Sequence, residues 1–566
     1  MKGQQKKKAA PVLVVLILIV LVGAAGVVSF LINRYKPGTE YMAGNEYFNL
    51  TDENSVALIQ NGELQEEQAV LIGGEPYAAY TYVESQLNSC FYWDEETKEI
   101  LLTTSGGVQT LLPGDAAVAK TPGGQPAVQQ ESDGTVYISL DVVKEYTDLD
   151  YAYYSDPNRV VIRNDWDGVE QATVQSDTAQ VRQKGGIKSL ILADVQKGDP
   201  LLYLENLDNW CKVMTADGYT GYIQTEDISE PESIEARTAK KDSYERITRD
   251  HKINLVWHQS TSTESNDAMA EMTAEMTGVN VISPTWFSVT DETGTISSLA
   301  SADYVKLAHD AGREVWGLID NFNEAFDETT DLAYASVRSR IIEQLLAEAA
   351  SCGMDGINVD FENLKEAGIP HYLQFLRELT SAAHEQNLVV SVDTPVPQSY
   401  TMYYQRGEQA RFVDYMIVMA YDEHFAGSEE AGSVSSLPFV QQAVEEMTRV
   451  MPADQVICGI PFYTRVWTEK FGQSAITSEV LGMDGAKNYA KENQMTETWD
   501  ASLGQNVATV ETSDARYTIW MEDEQSMEEK LKVIQSADLA GVAEWKLGFE
   551  RADVWSLISE YIETNS

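Results

Sequence analysis

Asn358, Asp360 and Glu362 stand at alternate positions in the stretch Met354-Asp355-Gly356-Ile357-Asn358-Val359-Asp360-Phe361-Glu362, separated by apolar Ile357, Val359 and Phe361. In an extended chain alternate residues share a face, so this spacing sets an amide and two carboxyl groups in line. Polar groups in line on a buried strand are costly to desolvate unless they serve a purpose. Such a pattern suits a barrel strand whose C-terminal end opens into a catalytic mouth. It also suits a half-exposed antiparallel strand with its polar face in water, so the neighbouring elements must decide.

Seven further apolar runs of strand length lie in the same half of the chain. They are 253–257, 279–284, 314–319, 388–392, 415–421, 456–460 and 541–545. Amphipathic stretches such as 337–350 and 370–385 fall between several of them. Eight strands alternating with helices over 250–566 predict an α/β fold, a (β/α)8 barrel, with the motif on its fourth strand. The interval between strands seven and eight is too long for one helix and predicts a small insertion around 489–521.

In such a barrel the site lies at the C-terminal strand ends. Those ends carry Trp286, then Asp320 and Asn321, the motif, Asp393, then Met419, Tyr421 and Asp422, Tyr463 and Arg465, and finally Glu544 and Trp545. The mouth is rich in carboxylates and aromatics and poor in cations. That composition fits a sugar site, with aromatic faces stacking on pyranose rings and carboxylates acting on the glycosidic bond.

Asp355-Gly356-Ile357-Asn358-Val359-Asp360-Phe361-Glu362 resembles the DGxxxDxE signature of glycoside hydrolase family 18. Met419-Ala420-Tyr421-Asp422 resembles its sixth-strand motif and Trp545 its floor tryptophan. Within the family the wording is closest to the spore-germination and cortex-lytic branch, where Asn also stands at the Asn358 position. Chitinases proper carry an Asp there that helps relay charge. The resemblance implies substrate-assisted retention, an exception to the two-carboxylate scheme. It implies Glu362 as the acid on the leaving oxygen and Asp360 as partner of the N-acetyl nitrogen. The negative charge of Asp360 would also raise the pKa of Glu362. Tyr421 would position the acetamido oxygen and Trp545 would form the floor, with Asn358, Met419, Asp422 and Trp286 in supporting substrate contacts. The expected substrate is a β-1,4-linked N-acetylglucosamine-containing polysaccharide, peptidoglycan or chitin-like. The alternative is a lectin-like surface protein that binds such glycans with little or no turnover.

The 566 residues hold 40 Lys and Arg against 89 Asp and Glu, a formal charge of -49. That surface repels nucleic acid. The exception is Lys2, Lys6, Lys7 and Lys8 in a basic tail (1–11), followed by an uncharged run over 12–32 long enough to span a bilayer as a helix. The lysines predict a cytoplasmic N-terminus and place the bulk of the chain outside the cell membrane as a single-pass protein. A cleaved signal peptide is the rival reading, favoured by Gly23-Ala24-Ala25-Gly26. Cys90, Cys211, Cys352 and Cys458 are too scattered for a zinc or disulfide framework, and neither a metal nor a cofactor is expected.

Two modules are expected ahead of the barrel. Over 56–165 a helix, an aromatic strand, a turn and a β-branched strand occur twice, as 82–102 and 142–162, predicting an α+β stalk. It resembles the copper amine oxidase N-terminal-like module, with no copper ligand set. Over 172–229 short strands between tight turns predict a small all-β barrel that resembles bacterial Src-homology-three-like domains. Those domains often accompany cell-wall enzymes, which makes contact with the wall an expectation.

Overall fold

The computed structural model describes residues 9–51, 55–117, 119–234 and 244–563. They form two compact units, Met1–Phe91 with Leu111–Asp242, and Tyr92–Thr110 with Ser243–Ser566.

The second unit contains the closed barrel expected from the sequence. Its strands are β1 (Ile253–His258), β2 (Val281–Val289), β3 (Glu314–Asp320), β4 (Gly356–Asp360), β5 (Val389–Pro395), β6 (Tyr415–Met419), β7 (Val456–Pro461) and β8 (Gly541–Trp545). Each pairs in parallel with its neighbours in sequence, and β8 returns to β1. Parallel strands are covered on both faces, which explains why they read as nearly continuous apolar runs. One face fills the barrel with Leu255, Trp257, Leu318, Ile417 and Ala543. The other packs Val256, Ile319, Val359 and Val418 against the surrounding helices.

Local rules place β4. The preceding helix, α1 (Ala335–Cys352), ends on Gly353 at φ 77°, a left-handed stop that glycine adopts without strain. Asp355 at the base of β4 accepts from Val315 N of β3 and pairs with His309, both at 2.8 Å. A Cβ on Gly356 would lie 2.8 Å from Trp316 and 2.9 Å from Val389 O, so only glycine lets the neighbouring strands close here. Phe361 turns outward and stacks on Phe375 of α2 (Ile369–His384) at 5.5 Å.

The insertion is larger than the sequence suggested. It is a five-stranded antiparallel sheet in the order Ile476–Gly482, Tyr463–Lys470, Ala515–Trp520, Gln505–Glu511, Thr496–Asp500, with a helix over Met483–Glu492. Only Phe462 separates the end of β7 at Pro461 from the insertion's first strand, so no turn residue marks the boundary.

A hairpin also belongs to this unit. Phe91–Asp94 and Glu99–Thr104, read from the sequence as the first copy of the stalk repeat, pack from Tyr92 onward with the barrel. Asp94 reaches Arg338 of α1 at 2.8 Å, and the Tyr92 hydroxyl lies 2.7 Å from His371 Nδ1.

In the first unit the second copy, Asp150–Tyr154 and Arg159–Arg163, completes a seven-stranded sheet by parallel pairing with Val56–Gln60. The helices expected in this stalk are a turn or two long (Tyr80–Tyr82, Val83–Leu87, Leu140–Glu145), so the region is built of sheet rather than α+β. A second seven-stranded sheet, with Thr178–Arg182, Trp210–Thr215 and Thr220–Gln224 at its centre, encloses Val181, Leu201, Val213 and Ile223. Near the N-terminus a helix runs over Ala9–Tyr35, with Val14 to Val22 more than half exposed. Among the described residues no helix is long and apolar enough to cross a membrane. The run over 12–32 starts ahead of the described side chains, and most of the basic tail 1–11 lies outside the described residues.

Candidate active site

Asn358 and Asp360 lie on β4, and Glu362 follows just past its end. Asn358 is fully buried inside the barrel, where its Oδ1 accepts from Trp257 Nε1 at 2.9 Å and Ser283 Oγ at 3.0 Å. Its Nδ2 donates to Asp393 Oδ1 at 2.9 Å. An amide thus stands where charge relay would need a carboxylate, and the carboxyl group of this network is Asp393 on β5. Asp393 was legible as a strand-end residue but carried no role from its position alone.

Asp360 closes β4, and its Oδ1 is buried with no hydrogen-bond partner among the described residues. Burial pushes its pKa well above the ordinary carboxylate value, and Asp393, Glu362 and Asp320 push it further. Asp393 is raised in the same way, chiefly by burial, with the Asn358 hydrogen bond opposing. Carboxyl groups this close in a dry site do not all ionise together.

Glu362 lies two residues past Asp360, beyond the strand end and partly exposed. Asn321 holds its backbone from both sides: Glu362 N donates to Asn321 Oδ1 at 2.9 Å, and Asn321 Nδ2 donates to Glu362 O at 3.0 Å. The next residue, Asn363, takes a left-handed φ of 53°, which turns the chain away and leaves the Glu362 side chain at the mouth. Its pKa is raised first by burial, then by Asp422 and Asp320. The expected effect of Asp360 on Glu362 falls instead on Asp360, the more deeply buried of the two.

Below the acids lies an aromatic floor. Trp257 packs 6.0 Å from Trp545 and 6.3 Å from Tyr421, and Tyr421 lies 6.2 Å from Tyr463. Tyr463 donates its hydroxyl hydrogen to Asp422, a residue exposed at the rim with a left-handed φ of 58°. The Asp422 carboxyl is hemmed in despite that exposure: desolvation raises its pKa, while Tyr463 and Arg465 pull it back.

Met419, at the end of β6, lines a pocket of about 600 Å³ beside Glu362 together with Pro395, Tyr400, Tyr403 and Tyr404. Asp360, Tyr421 and Trp545 are not among its walls. Glu362 thus lines this tyrosine pocket, while Asp360, two residues back on the same strand face, does not. A partly exposed carboxyl group at a pocket wall can pass a proton to a ligand bound there.

The structure thus brings Asn358, Asp360, Glu362, Met419, Tyr421, Asp422 and Trp545 to one mouth. It does not bring Trp286 there. That side chain is 1% exposed in the layer between strands and helices, with its indole N–H on Asn266 at 2.9 Å and its ring 5.0 Å from Tyr304. Alternation along β2 sends it there: Val281 faces the barrel interior and Ser283 bonds Asn358 inside it, so Ile282 and Trp286 face the helices. Asn321, Tyr463 and Asp393 are the site residues to which position alone gave no role.

Residues 257–550, just over half of the chain, match the family model Glycosyl hydrolases family 18, and residues 177–229 match Bacterial SH3 domain. The chain is 25% identical over 300 residues to the uncharacterized glycosylase YvbX of Bacillus subtilis (strain 168), spanning 51% of this chain and 86% of that protein. It is 25% identical over 248 residues to the cortical fragment-lytic enzyme of the same organism, spanning 42% of this chain but only 57% of that enzyme. Among solved structures, the Bacillus cereus spore cortex-lytic enzyme SleL superimposes with a TM-score of 0.51 at 18% identity, covering 58% of this chain and 78% of that one.

Proposed function

Since the chain belongs to family 18 of the glycosyl hydrolases, we propose that it is a membrane-anchored extracellular glycosidase that cleaves β-1,4-linked N-acetylglucosamine-containing glycans of the cell wall. The observation that carries this reading is the unpartnered Oδ1 of buried Asp360 between the aromatic floor and Glu362. The names of the relatives, cortical fragment-lytic and spore cortex-lytic, favour peptidoglycan over chitin as the substrate.

An N-acetylglucosamine unit lies on Trp545, with the leaving unit in the tyrosine pocket. Glu362, its pKa raised by burial and by Asp422, gives its proton to the glycosidic oxygen as the bond to the anomeric carbon breaks. The substrate's own acetamido oxygen closes on the anomeric carbon, oriented by the Tyr421 hydroxyl. Asp360 accepts the acetamido N–H and stabilises the positive charge that develops on the oxazolinium ring. Its raised pKa fits this role, because the growing cation favours the ionised form that burial and the neighbouring acids disfavour. The ionised Glu362 then takes a proton from water, which opens the ring with net retention at the anomeric carbon. Asn358 fixes Asp393, whose charge acts on Asp360. The apolar run 12–32 anchors the protein with the barrel outside the cell, and the bacterial SH3 region contacts the wall.

The test is product analysis. Purified full chain is incubated with peptidoglycan sacculi and with chitin oligomers, and the products are read by mass spectrometry and by NMR of the new anomeric proton. Fragments ending in reducing N-acetylglucosamine with the β-anomer formed first are expected. Binding of oligomers with no fragments from either substrate would instead assign a lectin-like surface protein.

A further inference from the structure

In the first compact unit, a pocket of about 220 Å³ opens where the Arg159–Arg163 hairpin meets the bacterial SH3 sheet. It is smaller than the roughly 300–1,000 Å³ of drug-sized sites, so its occupant is small or is the end of a chain. Val161, Leu202 and Met214 supply an apolar lining. Two polar side chains in its wall, the guanidinium of Arg163 and the amide of Gln171, make no side-chain hydrogen bond among the described residues.

Arg163 stands out in a chain with 89 acidic residues to 40 basic ones. It is half-buried, and burial lowers its pKa, so the protein holds this charge at a cost. Asp150, the acid that acts on it, is taken by Lys144 at 2.5 Å and by the Tyr151 backbone N–H at 3.1 Å. Trp166 lies under the guanidinium at 5.5 Å and is itself fixed by its indole N–H on Asp148 O at 3.2 Å. Stacking of this kind orients the guanidinium plane and leaves its edge donors for a ligand. A planar fork of donors matches a carboxylate, which it binds through two parallel hydrogen bonds. A cation already sits over each aromatic ring in the wall, Arg163 over Trp166 and Lys144 over Tyr151, so the pocket offers little platform for a sugar ring.

We propose that this pocket is a second ligand site, taking the free C-terminal carboxylate of a short peptide with small apolar side chains. Arg163 binds the carboxylate, Gln171 the preceding peptide group, and Val161, Leu202 and Met214 receive the methyl groups. The site is independent of the glycosidase reading and would tether the protein through peptide rather than glycan.

Calorimetric titration of the full chain in detergent tests this with acetyl-D-alanyl-D-alanine, its C-terminal amide and acetyl-L-alanyl-L-alanine as probes. The acid is expected to bind at least about tenfold more tightly than the amide, because only the acid offers the two acceptors of a bidentate pair. Arg163→Gln should abolish that preference, and Gln171→Leu should weaken acid and amide alike, both with unchanged melting temperature and glycan hydrolysis. Tighter binding of the D-peptide makes wall peptide the source, and tighter or equal binding of the L-peptide makes it a protein C-terminus. Equal affinity for acid and amide, no saturable binding of any probe at millimolar concentration, or undiminished binding by Arg163→Gln would overturn the proposal.

Discussion

At the barrel mouth Asp360, Asp393 and Glu362 are crowded together, and among the described residues no lysine or arginine is hydrogen-bonded to any of them. The layers around the barrel treat buried charge in the opposite way. Arg338 donates to Asp94 at 2.8 Å, Glu378 at 3.0 Å and Leu332 O at 2.8 Å, and its guanidinium lies 5.1 Å from the Tyr92 ring. Lys530 reaches Glu522 at 2.5 Å, and Glu522 also accepts from Ser526 and Gln505. Saturated pairs hold elements together, and removing one partner leaves a costly orphan. Unsaturated carboxyl groups weaken the fold but are free to bind and to move protons. Chemistry is expected where such unpaired acids also open to the mouth, as Glu362 does.

Substitutions at each kind of site should therefore separate stability from activity. The largest loss of stability is expected from Lys530→Met, which orphans Glu522 and should cost about 3–5 kcal/mol in denaturant unfolding. Hydrolysis below the transition should be unchanged, and Lys530→Met with Glu522→Met should recover most of the loss. Even paired, Glu522 is raised to about 7 by burial. A carboxyl raised in the folded state gives stability at low pH that is lost as pH rises through the folded value. The wild-type melting temperature should thus fall between the ordinary glutamate range and about pH 7, and the double variant should lose that portion.

Glu544 sharpens the contrast from the other side. It sits on β8 next to Trp545, yet it is fully buried with both carboxyl oxygens unpartnered, and burial and Glu550 raise its pKa. By the same sign argument its burden grows with pH. Glu544→Met should stabilise the protein by roughly 1–3 kcal/mol, more at pH 8 than at pH 5 in thermal melts. A loss of activity in that variant without loss of stability would move Glu544 into the reacting set.

The smallest effect is expected at Asp422, which raises the pKa of Glu362 through space. Activity needs protonated Glu362, so it falls as pH rises through that pKa. Asp422→Asn should move this alkaline limb of kcat to lower pH, while the maximal rate changes by less than about tenfold. A limb that stays in place would mean that burial alone sets the acid.

Much of this site was legible in the sequence because barrel strands alternate. Asn358, Asp360 and Glu362 kept their spacing on β4, and Tyr421, Asp422 and Trp545 fell at strand ends where parallel pairing puts them. What was illegible depended on register or on distant partners. Trp286 was misplaced because the phase of β2, set by Ser283 turning inward to Asn358 some 75 residues away, sends it to the helix side. The insertion hid its first strand directly behind β7. The hairpin of Tyr92 and Asp94 resembles its repeat partner in sequence, and partners more than two hundred residues later, Arg338 and His371, decide that it packs with the barrel.

The central claim is that Glu362 is the proton donor in a mouth built for chemistry rather than cohesion. The most direct measurement compares wild type and Glu362→Gln for release of reducing ends from peptidoglycan, alongside melting temperature and oligomer binding at the same pH. The account expects turnover to drop by about 10²–10⁴-fold, with oligomer binding retained and the melting temperature equal or higher. Wild-type turnover in Glu362→Gln, or a lower melting temperature that accounts for the loss, would contradict it.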